Sequence, residues 1–505
     1  MPRLAKSRKK SFEPANLGAA RTTLWYTVTF LADDIYRHLV SALDEQRVKI
    51  DPADCWAYGF DNSRHHSLPS CVVFPQSHEE IRSVVQICHA SGTPLIARGR
   101  GTGTTGASVP VTGGVILALE RMNRILRIDA DNRYAVVEPG VTNQALQDAV
   151  AAKGFFWGPD PSSATVCTVG GNLACNAAGP RAVKYGTTRD NVLGLRAVTG
   201  DGIELRAGVF TTKGVIGYDL TRLLIGSEGT LAIITEATLK LTPLPEAKRT
   251  LRVIYTDIDA AAQAVSRIMA QPITPCALEF MDGRAIELIR QYGEIPLPEQ
   301  AGALLMVEVD GPTTGLDAAA QTIAAAASGR GMLSLDIAND PSTVKALWQA
   351  RKALSPCLRK AAPKKVNEDV VVPVSRMPEL IAGLEALSRT HGILIVNFGH
   401  AGNGNIHVNL LYDPSNPAQA EAAPHCLDAV FSLVLKLEGT LSGEHGVGID
   451  KRDFVNRELT PETLELMARI KRQFDPAGIL NPQKSLPATP TGATATPYSS
   501  PTRRL

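Results

Sequence analysis

The sequence lacks any apolar run near the roughly 20 residues that a membrane-spanning helix needs. Its richest apolar patches, residues 115–119 and 430–437, are short and are bounded by polar residues or glycine. The eight cysteines include no C-x-x-C pair, which argues against ferredoxin-type iron–sulfur clusters and zinc ribbons and predicts buried free thiols. An excess of one charge is also missing, because 52 basic side chains face 50 acidic ones. Nothing therefore indicates a nucleic-acid partner.

Length and composition are those of a multidomain globular protein. At about 100–200 residues per domain, 505 residues predict two to four domains. A hydrophobic content of 44% with 20% charged residues excludes wholesale disorder. The N-terminal residues 1–10 are basic, and no apolar signal segment follows them directly. We expect a solvated tail there, with a membrane-surface or targeting role as the alternative, in a cytoplasmic protein.

Local patterns divide the chain into segments. Ser77 followed by Glu80 matches a capping box and predicts a helix that begins there. Pro243 and Pro245 end a strand and mark a boundary, after which longer amphipathic helices alternate with strands. Beyond Lys484 the chain is rich in Pro, Thr and Ser, which predicts a disordered tail. The predicted segments are a lead-in at 1–67, a first domain at 68–245, a second domain at 246–485 and a tail at 486–505.

Glycine is concentrated in one region, where 22 of the 42 glycines fall between Gly92 and Gly229. Gly101-Thr-Gly-Thr-Thr-Gly106 is a literal G-x-G-x-x-G, but a nicotinamide fingerprint must open a helix. Pro110 and two more glycines follow within eight residues and disfavour one. The interpretation we favour is a nest of backbone N–H groups that binds a pyrophosphate, flanked by Arg98 and Arg100. A plain tight loop is the alternative.

Further motifs follow this loop in order. They are Pro159-Asp-Pro-Ser-Ser163, Val169-Gly-Gly-Asn172, Asn176-Ala-Ala-Gly179, Lys184-Tyr-Gly-Thr-Thr-Arg-Asp190 and Gly226-Ser-Glu-Gly-Thr-Leu231. The set resembles the PCMH-type flavin-binding domain of the vanillyl-alcohol-oxidase superfamily. Within that superfamily the chain resembles the FAD-linked 2-hydroxyacid dehydrogenases, the group of D-lactate dehydrogenase, the glycolate oxidase D subunit and D-2-hydroxyglutarate dehydrogenase. The resemblance covers roughly residues 55–485.

The resemblance implies an α+β protein in which a two-subdomain PCMH-type FAD-binding domain precedes an α+β, ferredoxin-like substrate or cap domain. A C-terminal segment is expected to return to the flavin. The residues that the resemblance assigns to FAD are Arg98, Gly99, Arg100, Gly101, Thr102, Gly103, Thr104, Gly106, Pro159, Gly171, Asn172, Asn176, Gly179, Gly186, Glu228, Gly229, Ile233 and Asn481. No histidine lies between His89 and His391, so the flavin is expected to be non-covalent.

Two glycine-rich loops in the second domain contain three of the ten histidines. His400 and His407 surround one turn, and Glu444 adjoins His445 in the motif Ser-Gly-Glu-His-Gly. Two imidazoles and a carboxylate are a common three-ligand set for a divalent ion. The alternative is that these are polar loop residues bonded to one another. The resemblance favours a metal site of His400, His407 and Glu444, with zinc as the expected ion and His445 as the general base.

A 2-hydroxy acid also needs a cation for its carboxylate. The resemblance places the carboxylate-binding arginine at the W-x-x-R position, which is Arg351, and a guanidinium can hold a carboxylate by two hydrogen bonds. Ser355 lies one helical turn later. A second cation is Lys364 or Lys365, between which the spacing does not decide, although Lys365 is the one we assign to the substrate. Asn409 shares a strand face with His407 and is a further substrate contact.

The resemblance thus implies FAD-dependent oxidation of a D-2-hydroxy acid, D-lactate first, to the 2-oxo acid. Glycolate and D-2-hydroxyglutarate are alternative substrates. An FAD oxidase that uses oxygen, an alkyl-ether lipid synthase and a non-catalytic electron-transfer flavoprotein are alternative functions. The expected electron acceptor is a cytochrome, a quinone or an electron-transfer flavoprotein. Peripheral association with the inner membrane is compatible with the sequence.

Overall fold

The computed structural model of the protein describes residues 31–293 and 297–487. The predictions made for the basic residues 1–10 and for residues 488–505 of the tail lie outside these ranges. All eight cysteines are described and free, and seven of them are buried, which confirms the prediction of buried thiols. Among the described residues no helix is long and apolar enough to cross a membrane.

A mixed four-stranded sheet opens the first domain. Its order is Val48–Lys49, Cys71–Val73, Val115–Ala118 and Leu95–Arg98. The first pair is antiparallel, so the lead-in supplies an edge strand, and the other pairs are parallel. A helix begins at the predicted position between two of these strands, and Ser77 Oγ caps it by accepting a hydrogen bond from the Glu80 N–H at 3.2 Å. The predicted capping box is not closed, because the Glu80 carboxylate accepts from the Gln76 N–H instead of the Ser77 N–H. Residues 99–114, with the G-x-G-x-x-G run, form no helix.

The second sheet of this domain is antiparallel. Its order is Ile125–Asp129, Tyr134–Val137, Ala232–Lys240, Val192–Thr199 and Glu204–Gly208. A small ladder joins Phe155–Phe156 to Thr242–Pro243. Each sheet buries an apolar face beneath helices, and the two cores are separate. The α-helices of this region are Asp33–Leu43, Pro52–Trp56, His78–Ser91, Asn143–Ala151, Val169–Cys175, Ala182–Tyr185 and Leu220–Leu224.

The second domain is built on one seven-stranded antiparallel sheet. The strand order is Met332–Ala338, Ala247–Tyr255, Ala303–Gly311, Ala277–Asp282, Leu394–His400, Asn405–Tyr412 and Lys364–Val371. Because side chains alternate along a strand, each face of the sheet has its own core. The α-helices of this domain and of the segment after it are Ile258–Ala270, Gly283–Tyr292, Leu316–Ala327, Pro341–Leu347, Gln349–Ala361, Met377–His391, Pro417–Lys436, Val455–Glu458 and Pro461–Phe474.

Two sets of contacts hold the domains together. The C-terminal segment returns to the first domain, where Leu95 donates its N–H to Ile479 O and accepts from the Asn481 N–H, at 2.8 and 2.9 Å. On another side, the Tyr185 hydroxyl donates to Asp310 Oδ2 of the second domain at 2.8 Å, and the Lys184 ammonium binds the same carboxylate. The two domains therefore meet along a seam with several polar contacts.

Candidate active site

The predicted cofactor loop lines a cavity in the first domain. Predicted residues among its walls are Arg98, Gly99, Arg100, Gly101, Thr102, Gly103, Thr104, Gly171, Asn172 and Glu228. The cavity also reaches Glu444 and His445 of the second domain. It therefore connects the proposed pyrophosphate loop to the histidine–glutamate loop, as a cofactor that reacts at one end requires.

The cavity walls include buried polar atoms without partners among the described residues. They are Thr104 Oγ1, Asn172 Nδ2 and Asp61 Oδ2. Buried polar groups are normally hydrogen-bonded, so unpaired ones that line a cavity fit a polar ligand. Gly101 has a φ of +65°, which a side chain would adopt only with strain. These features fit the phosphates and ribose of FAD.

Both arginines of the loop are engaged by the protein. Arg98 is buried, and its guanidinium donates to Phe60 O at 2.6 Å and to Ser108 Oγ at 3.3 Å. Arg100 pairs with Glu120 at 3.1 Å. The remaining predicted cofactor residues lie outside the cavity walls: Gly106, Pro159, Asn176, Gly179, Gly186, Gly229, Ile233 and Asn481. Their assignment to FAD stays a prediction.

One face of the seven-stranded sheet gathers the chemistry of the second domain. Strand pairing sets Glu279 opposite His400 and His407 opposite Asp369. Directly paired residues point to the same face, and alternate residues along each strand share it. This face therefore also includes Phe398 and Asn409. We call it the site face.

The three predicted metal ligands converge on the site face. The ligand atoms of His400, His407 and Glu444 all lie within 4.8 Å of one another. His400 Nε2 is 3.3 Å and His407 Nε2 is 3.6 Å from Glu444 Oε1. Two imidazole nitrogens directed at one carboxylate oxygen are a donor set that fits a divalent ion.

Burial and charge act in opposite directions on these groups. Burial disfavours the charged form of His400, but Glu279 and Glu444 raise its pKa to about 10. Burial lowers the pKa of His407 to about 3, and the neighbouring His400 and His445 contribute to the shift. Burial raises the pKa of Glu444, but the histidines lower it to about 2 overall. The cluster thus contains an ionised carboxylate and one neutral imidazole, both of which are ligand forms.

Arg351 lies above the site face, on the helix Gln349–Ala361. Its Cζ is 4.6 Å from the centre of the Phe398 ring, and its Nε donates to Glu279 Oε2 at 3.0 Å. Glu279 was not among the predicted residues. Its other oxygen binds His400 Nδ1, so one buried carboxylate contacts both the predicted metal ligand and the predicted substrate arginine.

The loop that carries Glu444 and His445 is bound by a second unpredicted carboxylate. Oδ2 of the buried Asp369 accepts the backbone N–H groups of Gly443, Glu444 and His445 at 2.6 to 2.9 Å. His445 Nδ1 lies 3.3 Å from Asp369 Oδ1, an ion-pair distance that lacks the alignment of a hydrogen bond. Burial opposes ionisation, yet Lys451 and His445 hold the pKa of Asp369 well below its usual range.

The other side of this loop rests on the first domain. Glu228 accepts the backbone N–H groups of Val447 and Gly448 at 2.6 and 2.9 Å. Gly448 has a φ of +53°, and a Cβ there would collide with the Thr105 carbonyl. Glu228 was predicted to bind FAD. Its carboxylate is instead bound to the loop of the second domain, although the residue also lines the cavity.

The remaining predicted substrate residues fall on the strands around this cluster. Lys365 is two residues before Asn367, which pairs with Asn409, so Lys365 lies on the site face and Lys364 on the opposite one. The Asn409 amide donates to Val396 O at 3.1 Å, and its Oδ1 is buried without a partner among the described residues. Ser355 is on the arginine's helix, one turn further along.

Comparisons with known proteins agree with this architecture. Residues 69–208 match the FAD binding domain family, and residues 244–485 match the FAD linked oxidases, C-terminal domain. Glycolate oxidase subunit GlcD of Bacillus subtilis (strain 168) is 38% identical over 90% of this chain and 97% of its own length. The chain belongs to this family of FAD-linked oxidoreductases. The predicted family and the prediction of an FAD-dependent enzyme are thereby confirmed.

Two further relatives extend the comparison of this FAD-linked oxidoreductase. D-lactate dehydrogenase of Archaeoglobus fulgidus is 36% identical over 86% of this chain and 96% of its own length. The solved structure of p-cresol methylhydroxylase with substrate bound has a TM-score of 0.72 at 18% identity and covers 90% of this chain and 96% of that one. The structural likeness confirms the predicted two-domain PCMH-type fold.

Proposed function

We propose that this FAD-linked oxidoreductase oxidises a D-2-hydroxy acid, D-lactate first, to the corresponding 2-oxo acid. The observation that carries the proposal is the convergence of Arg351 with His400, His407 and Glu444 on the site face, next to a cavity that His445 also lines. A carboxylate clamp, a three-ligand set and an imidazole beside the flavin cavity are what this reaction needs.

Each group has a defined task. Arg351 binds the substrate carboxylate through its terminal nitrogens, Nη1 and Nη2, since Nε is already bound to Glu279. His400, His407 and Glu444 would hold a divalent ion, zinc by expectation, which supplies a Lewis acid for the 2-hydroxyl. His445 removes the hydroxyl proton as general base. FAD, when bound in the cavity, supplies the acceptor for the hydride from C2.

Side-chain specificity depends on a second cation. Lys365 on the site face offers a charge for a distal carboxylate, which favours D-2-hydroxyglutarate as a second candidate substrate. Burial lowers the pKa of this lysine, and Arg359 and Arg64 lower it further.

The electrons then leave the flavin for a cytochrome, a quinone or an electron-transfer flavoprotein, the acceptors that the resemblance implies.

The test is turnover of D-lactate, L-lactate, glycolate and D-2-hydroxyglutarate, with artificial acceptors and oxygen compared, by wild type and His445→Gln. We expect the variant to lose about 100-fold or more in kcat while it keeps its FAD, because general-base catalysis contributes about 10²–10⁴-fold. The exposed His425→Gln on the helix Pro417–Lys436 is the matched control and keeps wild-type kcat.

Two results would overturn parts of this proposal. Full activity in enzyme stripped of metal by a chelator removes the metal from the mechanism. Unchanged kcat in His445→Gln across pH 6–9 removes His445 as the general base, whereas no turnover by either protein would favour a non-catalytic scaffold. If no hydroxy acid of the panel is oxidised by enzyme that carries both FAD and metal, the substrate class is wrong.

A further inference from the structure

Glu279 is a buried acid with two different partners. It lies in the strand Ala277–Asp282 and is 1% exposed. Oε1 contacts His400 Nδ1, and Oε2 accepts a hydrogen bond from Arg351 Nε at 3.0 Å. The strand register sets it directly opposite His400, whereas Arg351 arrives from the helix above the sheet. A buried carboxylate is costly unless it is paired, and here each oxygen has one cationic or donor partner.

The contact with His400 determines which ring nitrogen can bind a metal. Because the Glu279 carboxylate accepts, Nδ1 carries the proton. In the neutral, metal-binding form of His400 the lone pair is then on Nε2, which is the atom directed at Glu444 Oε1, 3.3 Å away. A carboxylate behind a metal-binding histidine fixes both the tautomer and the ring orientation.

The contact with Arg351 determines which guanidinium atoms remain for substrate. Nε is bound to Glu279, and Cζ lies over the Phe398 ring, 4.6 Å from its centre. Nη1 and Nη2 make no hydrogen bond to another described residue. The planar end of the guanidinium is therefore held in place with two donors available to a carboxylate.

We propose that Glu279 is a positioning residue that aligns the metal ligand His400 and the substrate clamp Arg351 with a single carboxylate. This inference rests on the proposed function. Neither glutamine nor aspartate can replace Glu279 in this role. A glutamine offers one acceptor and one NH₂ group, so its NH₂ opposes either the His400 Nδ1–H or the Arg351 Nε–H. An aspartate keeps the charge, but it is one methylene shorter and reaches only one of the two partners.

The experiment compares FAD-loaded wild type with Glu279→Gln, Glu279→Asp and Asp282→Asn. Zinc alone is titrated into metal-free protein in competition with a chromophoric chelator, and KM for D-lactate is then measured at saturating zinc. Asp282 is the matched control, since it is buried on the same strand but contacts Asn397 and the N-terminus of the next helix.

We expect Glu279→Gln to raise the zinc Kd by about 10–100-fold, the usual loss when a carboxylate behind a metal-binding histidine is removed. KM for D-lactate rises as well and stays raised at saturating zinc, because Arg351 has lost its partner. Glu279→Asp recovers part of one effect, and Asp282→Asn stays within about twofold of wild type in both.

Wild-type zinc Kd and KM in Glu279→Gln would overturn the inference and leave the proposed function intact. Equal increases of zinc Kd and KM in Asp282→Asn would also overturn it, because any buried acid of this strand would then have the same effect through folding alone. If wild type itself binds no zinc, the metal assignment of the proposed function fails and the His400 part of this inference fails with it. An unchanged KM alone would overturn the Arg351 part.

Discussion

Asp369 is the residue at which a small change should have a large structural effect. Its carboxylate is fully buried, accepts three backbone N–H groups of the Glu444 loop and pairs with Lys451. Lys451 is itself 1% exposed, and its other anionic neighbour, Glu368, is 3.4 Å away. The perturbation is Asp369→Asn, which keeps the shape of the side chain and removes its charge.

The expected loss of stability follows from the Lys451 ammonium, which the substitution leaves buried without its Asp369 partner. Removal of one partner of a buried ion pair costs about 3–5 kcal/mol. We expect the low end, about 3 kcal/mol, because Glu368 still faces Lys451. For a domain of this size each kcal/mol shifts the melting temperature by about 2–4 °C, so the second domain should melt about 6–12 °C earlier. The loop of Glu444 also loses a carboxylate that accepts its backbone N–H groups, so we expect the affinity for zinc to fall.

The assay is calorimetric melting of FAD-loaded wild type, Asp369→Asn, Lys451→Met and the double variant. The double variant has no unpaired buried ammonium, so it should recover at least half of the melting temperature lost in Asp369→Asn. The double-mutant cycle thereby separates the Asp369–Lys451 ion pair from the hydrogen bonds of Asp369 to the backbone. Melting of Asp369→Asn within about 2 °C of wild type would refute the assigned role of this carboxylate. A double variant less stable than either single variant would refute the pairing.

Two further predictions concern the flavin and pH. Heat or acid should release free FAD into the supernatant. No histidine lies between His89 and His391, and burial raises the pKa of the Cys175 thiol, in the cavity wall, to about 12. A yellow pellet would contradict this expectation. Burial raises the pKa of Asp282 to about 7 from 3.8, against its hydrogen bonds from Ala285 and Asn397. The unfolded chain thus ionises first, and the contribution of Asp282 to wild-type stability should fall from pH 4 to 7. The melting temperature of Asp282→Asn relative to wild type should rise over this window, and a flat difference would contradict the shift.

Local motifs were sufficient to single out the glycine loop and the two histidine loops, and the resemblance assigned these loops to FAD and to a metal. Glycines and histidines are rare enough in combination that Gly101–Gly106 and the loops of His400 and Glu444 stand out in the sequence. Their chemistry depends mainly on residues close together in the chain, so spacing carries the information. The structure places the Gly101–Gly106 loop at the wall of a cavity, and it brings His400, His407 and Glu444 together in one cluster.

The two organising carboxylates had no such signal. Glu279 lies within Ala277-Leu-Glu-Phe-Met-Asp282, and its partners are 72 and 121 residues away. Asp369 is 74 to 76 residues from the loop that it binds. Sheet register brings Glu279 to His400, whereas the packing of a helix brings Arg351 to Glu279 and the packing of a loop brings residues 443–445 to Asp369. Spacing along the chain specifies neither register nor packing between distant segments. The one local hint is the position of Glu279 between two apolar residues, Leu278 and Phe280. The same register separates Lys365 from Lys364, which sequence spacing left open.

The loop from Ser442 to Gly448 is bound from both domains, and this explains why a flavin domain and a cap domain are needed for one reaction. Asp369 of the cap sheet binds its first half, and Glu228 of the flavin domain binds the N–H groups of Val447 and Gly448. His445 is between these two anchors and lines the cavity. Neither domain alone would orient the imidazole, because each supplies acceptors for only part of the loop's backbone. The imidazole that we propose as the base is therefore positioned by both domains, at the place where the cavity reaches the second domain.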